Sequence, residues 1–242
     1  MELKRLNKAI SETGFTSRRG ADKLIEEGKV KVNGETAGLG VKVSPEDKIE
    51  VDGKLITKTV EPIYLAFNKP VGITCTTDTN EPDNITDFIN YPKRIFPVGR
   101  LDKPSEGLIF MTNDGDIVNK ILRSKNNHEK EYIVNVNKPI TVEFIEKMAN
   151  GIPILDTVTL KCEVEKLDDY CFRIVLKQGL NRQIRRMVAY LDYEVSRLQR
   201  VRIMNIELGN LKVGKYRHFT KDELSNLLDL VKNSSKTEEA SL

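Results

Sequence analysis

The chain has little of what several common classes of protein require. Its 242 residues include three cysteines, Cys75, Cys162 and Cys171, and none of them forms a CxxC pair. An odd number of cysteines without paired spacing argues against a disulfide framework and against a zinc site, so we expect a cytoplasmic protein that binds no metal. With only two histidines, His128 and His218, we do not expect catalysis by paired histidines.

Signals for membranes and nucleotide cofactors are also missing. No apolar stretch approaches the roughly 20 residues that a membrane-spanning helix needs, so we expect no membrane association. The first seven residues, MELKRLN, lack the hydrophobic region of a secretion signal. Neither a GxGxxG motif nor a P-loop is present, and we therefore expect no nucleotide cofactor.

The net charge is small, but its distribution is uneven. The whole chain carries 39 basic and 36 acidic side chains, a formal charge of +3. Residues 173–217 alone carry 11 basic and 3 acidic side chains, whereas residues 61–172 carry 13 and 18. A concentrated positive block of this kind points to a polyanionic partner.

The pattern of apolar residues divides the chain into a small module, a larger domain and a tail. In the first sixty residues, Leu3, Leu6 and Ile10 predict one helix, Ser17 caps a second, and Asn33-Gly34 predicts a hairpin. Further strands are expected at 40–43 and 48–51, followed by a polar linker. We expect domains at residues 1–58 and 62–232 and a disordered tail at 233–242.

The larger domain predicts an α+β fold with a mixed, mostly antiparallel sheet, because strands joined by short turns are interspersed irregularly with helices. The predicted strands are 63–67, 108–112, 130–137, 158–167, 171–178 and 195–207. The predicted helices are 116–124, 141–150, 182–191 and 221–232, the last of which begins with a capping box at Thr220 and Glu223.

Residues 182–191 are the most informative helix. An apolar stripe faces a core, while Arg182, Arg185 and Arg186 lie on a neighbouring face within the first two turns, after a turn and a predicted cap at Asn181. Cations at a helix N-terminus oppose the macrodipole, which suggests an anion or a carboxylate partner; the alternative is a solvated basic face. All six cations between residues 182 and 202 are arginines, and we interpret this block as a functional surface.

Two further segments are candidates for the site. Gly99 and Gly107 bracket a polar loop in which Arg100 and Asp102 share a face; an aspartate in such a loop is commonly only a turn former. Tyr132 begins a strand and fits either a half-buried core aromatic or a stacking platform for an unstacked base.

Several motifs, in a consistent order, resemble known families. Residues 3–51 are similar to an S4 RNA-binding domain of the αL type, and residues 62–230 resemble the catalytic domain of RsuA-type ribosomal RNA pseudouridine synthases. Other stretches are similar to the branch of that family represented by large-subunit synthase F. The motifs are R5-L6, S17-R18-R19, L24-I25-E-E-G28 and V30-K-V-N-G34, then N68-K-P-V-G72, G99-R-L-D102, Y132 and G179-L-N-R-Q-I-R-R-M187.

The resemblance implies roles for individual residues. Asp102 matches the essential aspartate, which acts as nucleophile at ribose C1′ or at the uracil ring, or assists cleavage through a glycal. Arg185 matches its basic partner, Tyr132 the tyrosine that stacks on the target base, and Arg100 the residue implicated in base flipping. Pro104 departs from the polar residue often found beside this loop, which puts the local geometry in doubt.

The expected activity is cofactor-free conversion of one uridine of 23S ribosomal RNA to pseudouridine by a monomer. RNA-binding roles are expected for Arg100, Arg182 and Arg186 and, in the N-terminal module, for Arg5, Arg18 and Arg19. Alternatives are a synthase acting on tRNA or 16S ribosomal RNA, or a non-catalytic RNA-binding or ribosome-assembly protein.

Overall fold

The computed structural model describes residues 3–56, 60–122 and 127–234. The chain divides into two compact units: Met1–Pro62 with Pro92–Arg94, and Ile63–Tyr91 with Ile95–Leu242. The predicted tail lies outside the described residues apart from its first two positions, and the predicted linker lies partly outside them. Within the described residues, no helix is long and apolar enough to cross a bilayer.

The first unit contains two helices and six short strands. The elements are β1 (Lys4–Arg5), α1 (Leu6–Glu12), α2 (Arg18–Glu26), β2 (Val30–Val32), β3 (Glu35–Thr36), β4 (Lys42–Val43), β5 (Ile49–Val51) and β6 (Lys54–Leu55). β3, β2, β5 and β6 form one sheet in that order, and β1 pairs with β4. The predicted cap is confirmed, since the Ser17 hydroxyl accepts the Gly20 N–H at 2.9 Å. Leu3, predicted to be helical, instead precedes β1 and is exposed.

The second unit contains five helices and eleven strands in its described residues. They are β7 (Tyr64–Lys69), α3 (Ile85–Ile89), β8 (Phe96–Val98), β9 (Glu106–Thr112), α4 (Gly115–Leu122), β10 (Lys130–Val136), α5 (Val142–Asn150), β11 (Pro153–Ile154), β12 (Thr157–Val158), β13 (Glu163–Asp168), β14 (Cys171–Leu176), α6 (Gln183–Tyr190), β15 (Val195–Ile203), β16 (Ile206–Glu207), β17 (Tyr216–His218) and α7 (Lys221–Leu230).

One large sheet organises this unit. Its order is β13-β14-β10-β15-β9-β7-β17, with β8 beside β9 and β16 beside β15. β9 and β15 run parallel, whereas the other neighbouring pairs described in this sheet are antiparallel. The expected α+β class with a mixed, mostly antiparallel sheet is therefore confirmed.

Strand β9 is buried on both faces because successive side chains point to opposite sides of the sheet. Leu108 and Phe110 join the cluster formed with α4 and α7, while Ile109 and Met111 join the cluster formed with α3. A third cluster packs α5 and α6 against β10 and β14. Helices thus cover the sheet around β9, and the loop that precedes this strand is held on a rigid support.

Several predicted element boundaries are wrong. The predicted strand 158–167 is divided into β12 and β13, and the predicted strand 195–207 is interrupted before β16, where Met204 adopts a left-handed φ of 52°. The structure also contains α3, β8, β11 and β17, which were not predicted. The capping box of α7 is confirmed, with Thr220 and Glu223 exchanging both hydrogen bonds.

Candidate active site

A pocket of about 630 Å³ opens in the second unit, a size suited to a nucleotide. Three parts of the chain form its walls: the loop before β9, the strands β10 and β15, and the segment that leads into α6. They contribute, among others, Arg100, Asp102, Ser105, Lys130, Tyr132, Arg182, Arg185 and Arg200.

The loop that carries Asp102 is held by backbone hydrogen bonds on both sides. The Leu101 N–H donates to the Cys75 sulfur at 3.3 Å, and the Ser105 N–H donates to the Asp102 carbonyl at 2.9 Å. The Asp102 side chain is 33% exposed, so its carboxylate is only partly shielded from solvent. A partly exposed carboxylate on a fixed loop is accessible to a substrate that enters the pocket.

Arg185 ties this loop to α6. Its Nε lies 3.9 Å from Asp102 Oδ2, and its Nη2 donates to the Pro104 carbonyl and to the Ser105 hydroxyl, both at 3.1 Å. Burial lowers the pKa of Arg185, the Asp102 carboxylate acts in the opposite direction, and nearby Arg182 lowers it further. The predicted pairing of Arg185 with Asp102 is therefore present as an ion pair longer than a hydrogen bond.

The entry into α6 differs from the prediction. The helix begins at Gln183, and Arg182 rather than Asn181 occupies the N-cap position, with a left-handed φ of 50° and no side-chain cap. The Gln183 side chain instead accepts the Leu180 N–H at 3.1 Å. Backbone strain at a non-glycine residue is typical of positions that a functional site constrains.

The three arginines expected on one face of this helix point in different directions. Arg182 and Arg185 line the pocket. Arg186 turns back, and its guanidinium donates to the carbonyl and the side chain of Asn181, at 3.0 and 3.1 Å. The hypothesis that these three side chains form one surface is therefore not what the structure shows.

The arginines of β15 also have separate environments. Arg197 pairs with Glu106 at 2.5 Å, and Arg202 pairs with Glu129 at 3.2 Å and Glu131 at 2.9 Å. These carboxylates pair with two members of the basic block, so the block is not a uniform set of unpaired cations in the described structure. Arg200, in contrast, is buried and lines the pocket.

Tyr132 lies both in the core and at the pocket, the two locations between which the sequence did not decide. It is partly buried, packs against two of the core clusters, and also lines the pocket. In the sheet it lies opposite Ile174 on one side and Arg200 on the other. Arg100 is exposed at the pocket wall, two residues before Asp102.

The remaining predicted RNA-binding residues belong to the first unit. Arg5 ends β1, and Arg18 and Arg19 form the first turn of α2; all three are exposed. Sequence reasoning missed Lys130 as a pocket residue, although it lies two positions before Tyr132 and thus on the same face of the strand.

Comparisons with known proteins agree with this architecture. Residues 63–190 match the family described as RNA pseudouridylate synthase, and residues 4–49 match the S4 domain. The dual-specificity RNA pseudouridine synthase RluF of Escherichia coli (strain K12) is 56% identical over 96% of this chain and 80% of its own length. The ribosomal large subunit pseudouridine synthase B of Bacillus subtilis (strain 168) is 37% identical, over 93% of this chain and 96% of its own.

A solved structure is similar as well. The crystal structure of a pseudouridylate synthase, 33% identical in sequence, matches 92% of this chain and 99% of its own with a TM-score of 0.68. An RNA-modifying enzyme thus accounts for the second unit and an RNA-binding S4 domain for the first. The chain belongs to the RNA pseudouridine synthase family. It is an isomerase that acts on uridine in RNA, as its motifs predicted.

Proposed function

We propose that this enzyme isomerises one uridine of 23S ribosomal RNA and that Asp102 is its nucleophile. The observation that carries the assignment is the position of the Asp102 carboxylate, partly exposed in a nucleotide-sized pocket and 3.9 Å from Arg185. The name of the Bacillus subtilis relative, a ribosomal large subunit synthase, supports the choice of RNA.

Arg185 and Tyr132 have different tasks in this proposal. The Arg185 guanidinium orients the Asp102 carboxylate from 3.9 Å and, through Pro104 and Ser105, keeps the loop in place. Tyr132 stacks on the flipped uracil. The base is released from C1′, rotates, and rejoins through C5. Because uridine and pseudouridine are isomers, the overall reaction needs no co-substrate, and we propose that it proceeds without a cofactor.

The exposed arginines hold the RNA. Arg100 and Arg182, at the pocket wall, contact the phosphates next to the target, and Arg186 supports Asn181 at the same edge. We assign residues 1–58 to the S4 domain and residues 62–232 to the catalytic domain, in an enzyme that acts as a cytoplasmic monomer.

The S4 domain supplies affinity for the RNA backbone through Arg18 and Arg19, which are exposed in the first turn of α2. Replacing both with alanine should weaken RNA binding and make its salt dependence shallower. Lys23→Ala is the matched control, because Lys23 lies in the last turn of the same helix near Glu27. An effect of equal size in both variants would remove this assignment.

Asp102→Asn tests the nucleophile, because it preserves the shape of the side chain and removes its charge. We expect tritium release from [5-³H]uridine-labelled RNA to fall by roughly 10⁴-fold or more while RNA affinity is retained. Asp83→Asn, which removes an exposed carboxylate paired with Lys103, is the control and should retain turnover. Tritium release by Asp102→Asn at the wild-type rate would refute the assignment.

The substrate is tested by mapping pseudouridines in a strain that lacks the gene. Carbodiimide primer extension on 23S ribosomal RNA should show one missing site, which the wild-type gene restores and Asp102→Asn does not. Because the Escherichia coli relative is named a dual-specificity enzyme, tRNA and 16S ribosomal RNA are mapped in the same strains. Loss of a site only in tRNA or 16S ribosomal RNA would overturn the choice of 23S ribosomal RNA.

A further inference from the structure

Two buried cations line the same pocket. Arg200 on β15 is 4% exposed and Lys130 on β10 is 8% exposed. In the described part of the chain, neither side chain forms an ion pair with a carboxylate. Burying a charge without a partner is costly, so such a pair suggests a binding site for an anionic group.

Arg200 is held in a fixed position. Its Nε donates to the Leu108 carbonyl at 2.7 Å, whereas its Nη2 is buried and has no hydrogen-bond partner among the described residues. The Arg200 backbone also lies close to β9, since a Cβ at Gly107 would lie 2.7 Å from the Arg200 nitrogen. The guanidinium is therefore a preorganised donor with unused hydrogen-bonding capacity.

Lys130 increases the positive potential at the same wall. Its Nζ donates to the His128 carbonyl at 3.2 Å, and two of its three donor positions are left for other partners. Burial and then the charge of Arg200 lower the pKa of Lys130 to about 8. A bound anion would be favoured here, since it would compensate the two positive charges at once.

The reaction itself generates such an anion. When the bond between C1′ and N1 breaks, its electron pair stays on the base, and the negative charge is shared by N1, O2 and O4. The base then turns about its N3–C6 axis, which exchanges N1 with C5 and O2 with O4. A donor fixed in the pocket wall therefore meets a carbonyl oxygen both before and after the rotation.

We propose that Arg200, assisted by Lys130, binds a carbonyl oxygen of the flipped uracil and stabilises the uracil anion while the base is detached from the ribose. An Asp102 oxygen forms a bond to C1′ as the bond to N1 breaks. C5 of the rotated base then supplies the electron pair for the new bond to C1′ and displaces the Asp102 carboxylate; C5 loses its proton and N1 gains one, so that the atoms and electrons balance. This inference rests on the proposed function and adds Arg200 to its catalytic residues.

The test compares two leaving groups in single-turnover reactions. The substrates are stem-loop RNAs that carry the mapped target either as uridine or as 5-fluorouridine, whose fluorine stabilises the anion of the base. Consumption of the target nucleoside is followed by nuclease digestion and chromatography. Arg200→Met should slow the uridine reaction by roughly 10²-fold or more with RNA affinity nearly unchanged. With 5-fluorouridine the loss should be at least several-fold smaller.

Controls separate this role from a structural one. Arg197→Met, on the same strand but exposed and outside the pocket lining, should react like wild type with both RNAs. An equal loss by Arg200→Met on both substrates, or no loss at all, would overturn the proposal. Asp102→Asn should be inactive on both, and this result tests the proposed function separately from Arg200.

A second variant keeps the test decisive if Arg200→Met does not fold. Lys130→Met leaves the hydrogen bond between Arg200 and Leu108 intact, and its rate should fall by roughly 10-fold on uridine and by less on 5-fluorouridine. The same loss on both RNAs would count against the proposal. Circular dichroism of each variant reports its folding.

Discussion

Gly107 lies where the loop of Asp102 enters the sheet, and its replacement by alanine should be unusually damaging. Its φ is +102°, a conformation that residues with a Cβ rarely adopt. It is paired with Arg200 across the parallel strands β9 and β15. A Cβ at this position would overlap the Arg200 carbonyl oxygen and would lie 2.7 Å from the Arg200 nitrogen. Backbone atoms of a central strand cannot move aside as a flexible side chain can.

The expected loss has two parts. A positive φ costs alanine about 1–2 kcal/mol, and overpacking against the neighbouring strand costs about 1–3 kcal/mol more, so Gly107→Ala should lower the free energy of unfolding by about 2–5 kcal/mol. Gly72→Ala isolates the first part, because Gly72 has a φ of +92° and a Cβ there would meet no described atom within 4 Å. Gly179→Ala involves neither, and its effect should stay within about 0.5 kcal/mol.

Urea unfolding followed by circular dichroism measures the three variants under one set of conditions. The expected order of destabilisation is Gly107→Ala, then Gly72→Ala, then Gly179→Ala. An equal loss of unfolding free energy in Gly107→Ala and Gly72→Ala would show that the added methyl group at Gly107 meets no steric resistance. That result would refute the close contact between Gly107 and Arg200. Single-turnover assays on the same samples should also show a slower reaction for Gly107→Ala, because Arg200 lies in the displaced strand.

Four other substitutions probe the site and its support. Arg185→Gln should reduce the single-turnover rate on the order of 10²-fold with RNA affinity retained, and an unchanged rate would contradict its pairing with Asp102. Arg182→Gly should make the logarithmic salt dependence of RNA binding shallower by roughly 0.9 without loss of unfolding free energy, because glycine accepts the left-handed backbone. Burial raises the pKa of Glu131, but hydrogen bonds from arginines outweigh burial, so the net pKa lies below the ordinary value of 4.5. The ionised carboxylate therefore stabilises the fold above pH 4.5, and this contribution is lost as the pH falls through the lowered pKa. Urea titrations of Glu131→Gln should show a lower free energy of unfolding than wild type at neutral pH, and the difference should shrink in acid. Ser17→Ala should destabilise the first unit by about 1 kcal/mol in thermal unfolding, and no change would argue against the cap.

The sequence predicted helix caps correctly where the interacting residues lie within three positions of each other. The hydroxyl of Ser17 and the Thr220–Glu223 capping box each act within three residues, and both predictions are confirmed. The entry into α6 was not readable, because Asn181 is a good cap by type. In the structure the Gln183 side chain takes the Leu180 N–H and the helix begins later.

Long-range pairing explains the other differences. A run of arginines looks uniform along the sequence, but Arg202 meets Glu131 across 71 residues of chain and Arg200 meets Leu108 across 92. Neither partner is visible from periodicity or spacing, so the sequence alone does not separate the neutralised arginine from the buried pocket residue. Helix α3, only five residues long, is too short to show a helical period.

The parallel pairing of β9 with β15 has a consequence for how the enzyme is made. Arg200 and Leu108 are 92 residues apart, yet both must be in place before the pocket wall is closed. During synthesis Asp102 and Tyr132 therefore leave the ribosome well before the strand that completes their site. Because contacts between distant parts of a chain form late in folding, we expect the nascent enzyme to become active on RNA only after the segment through β15 has been released.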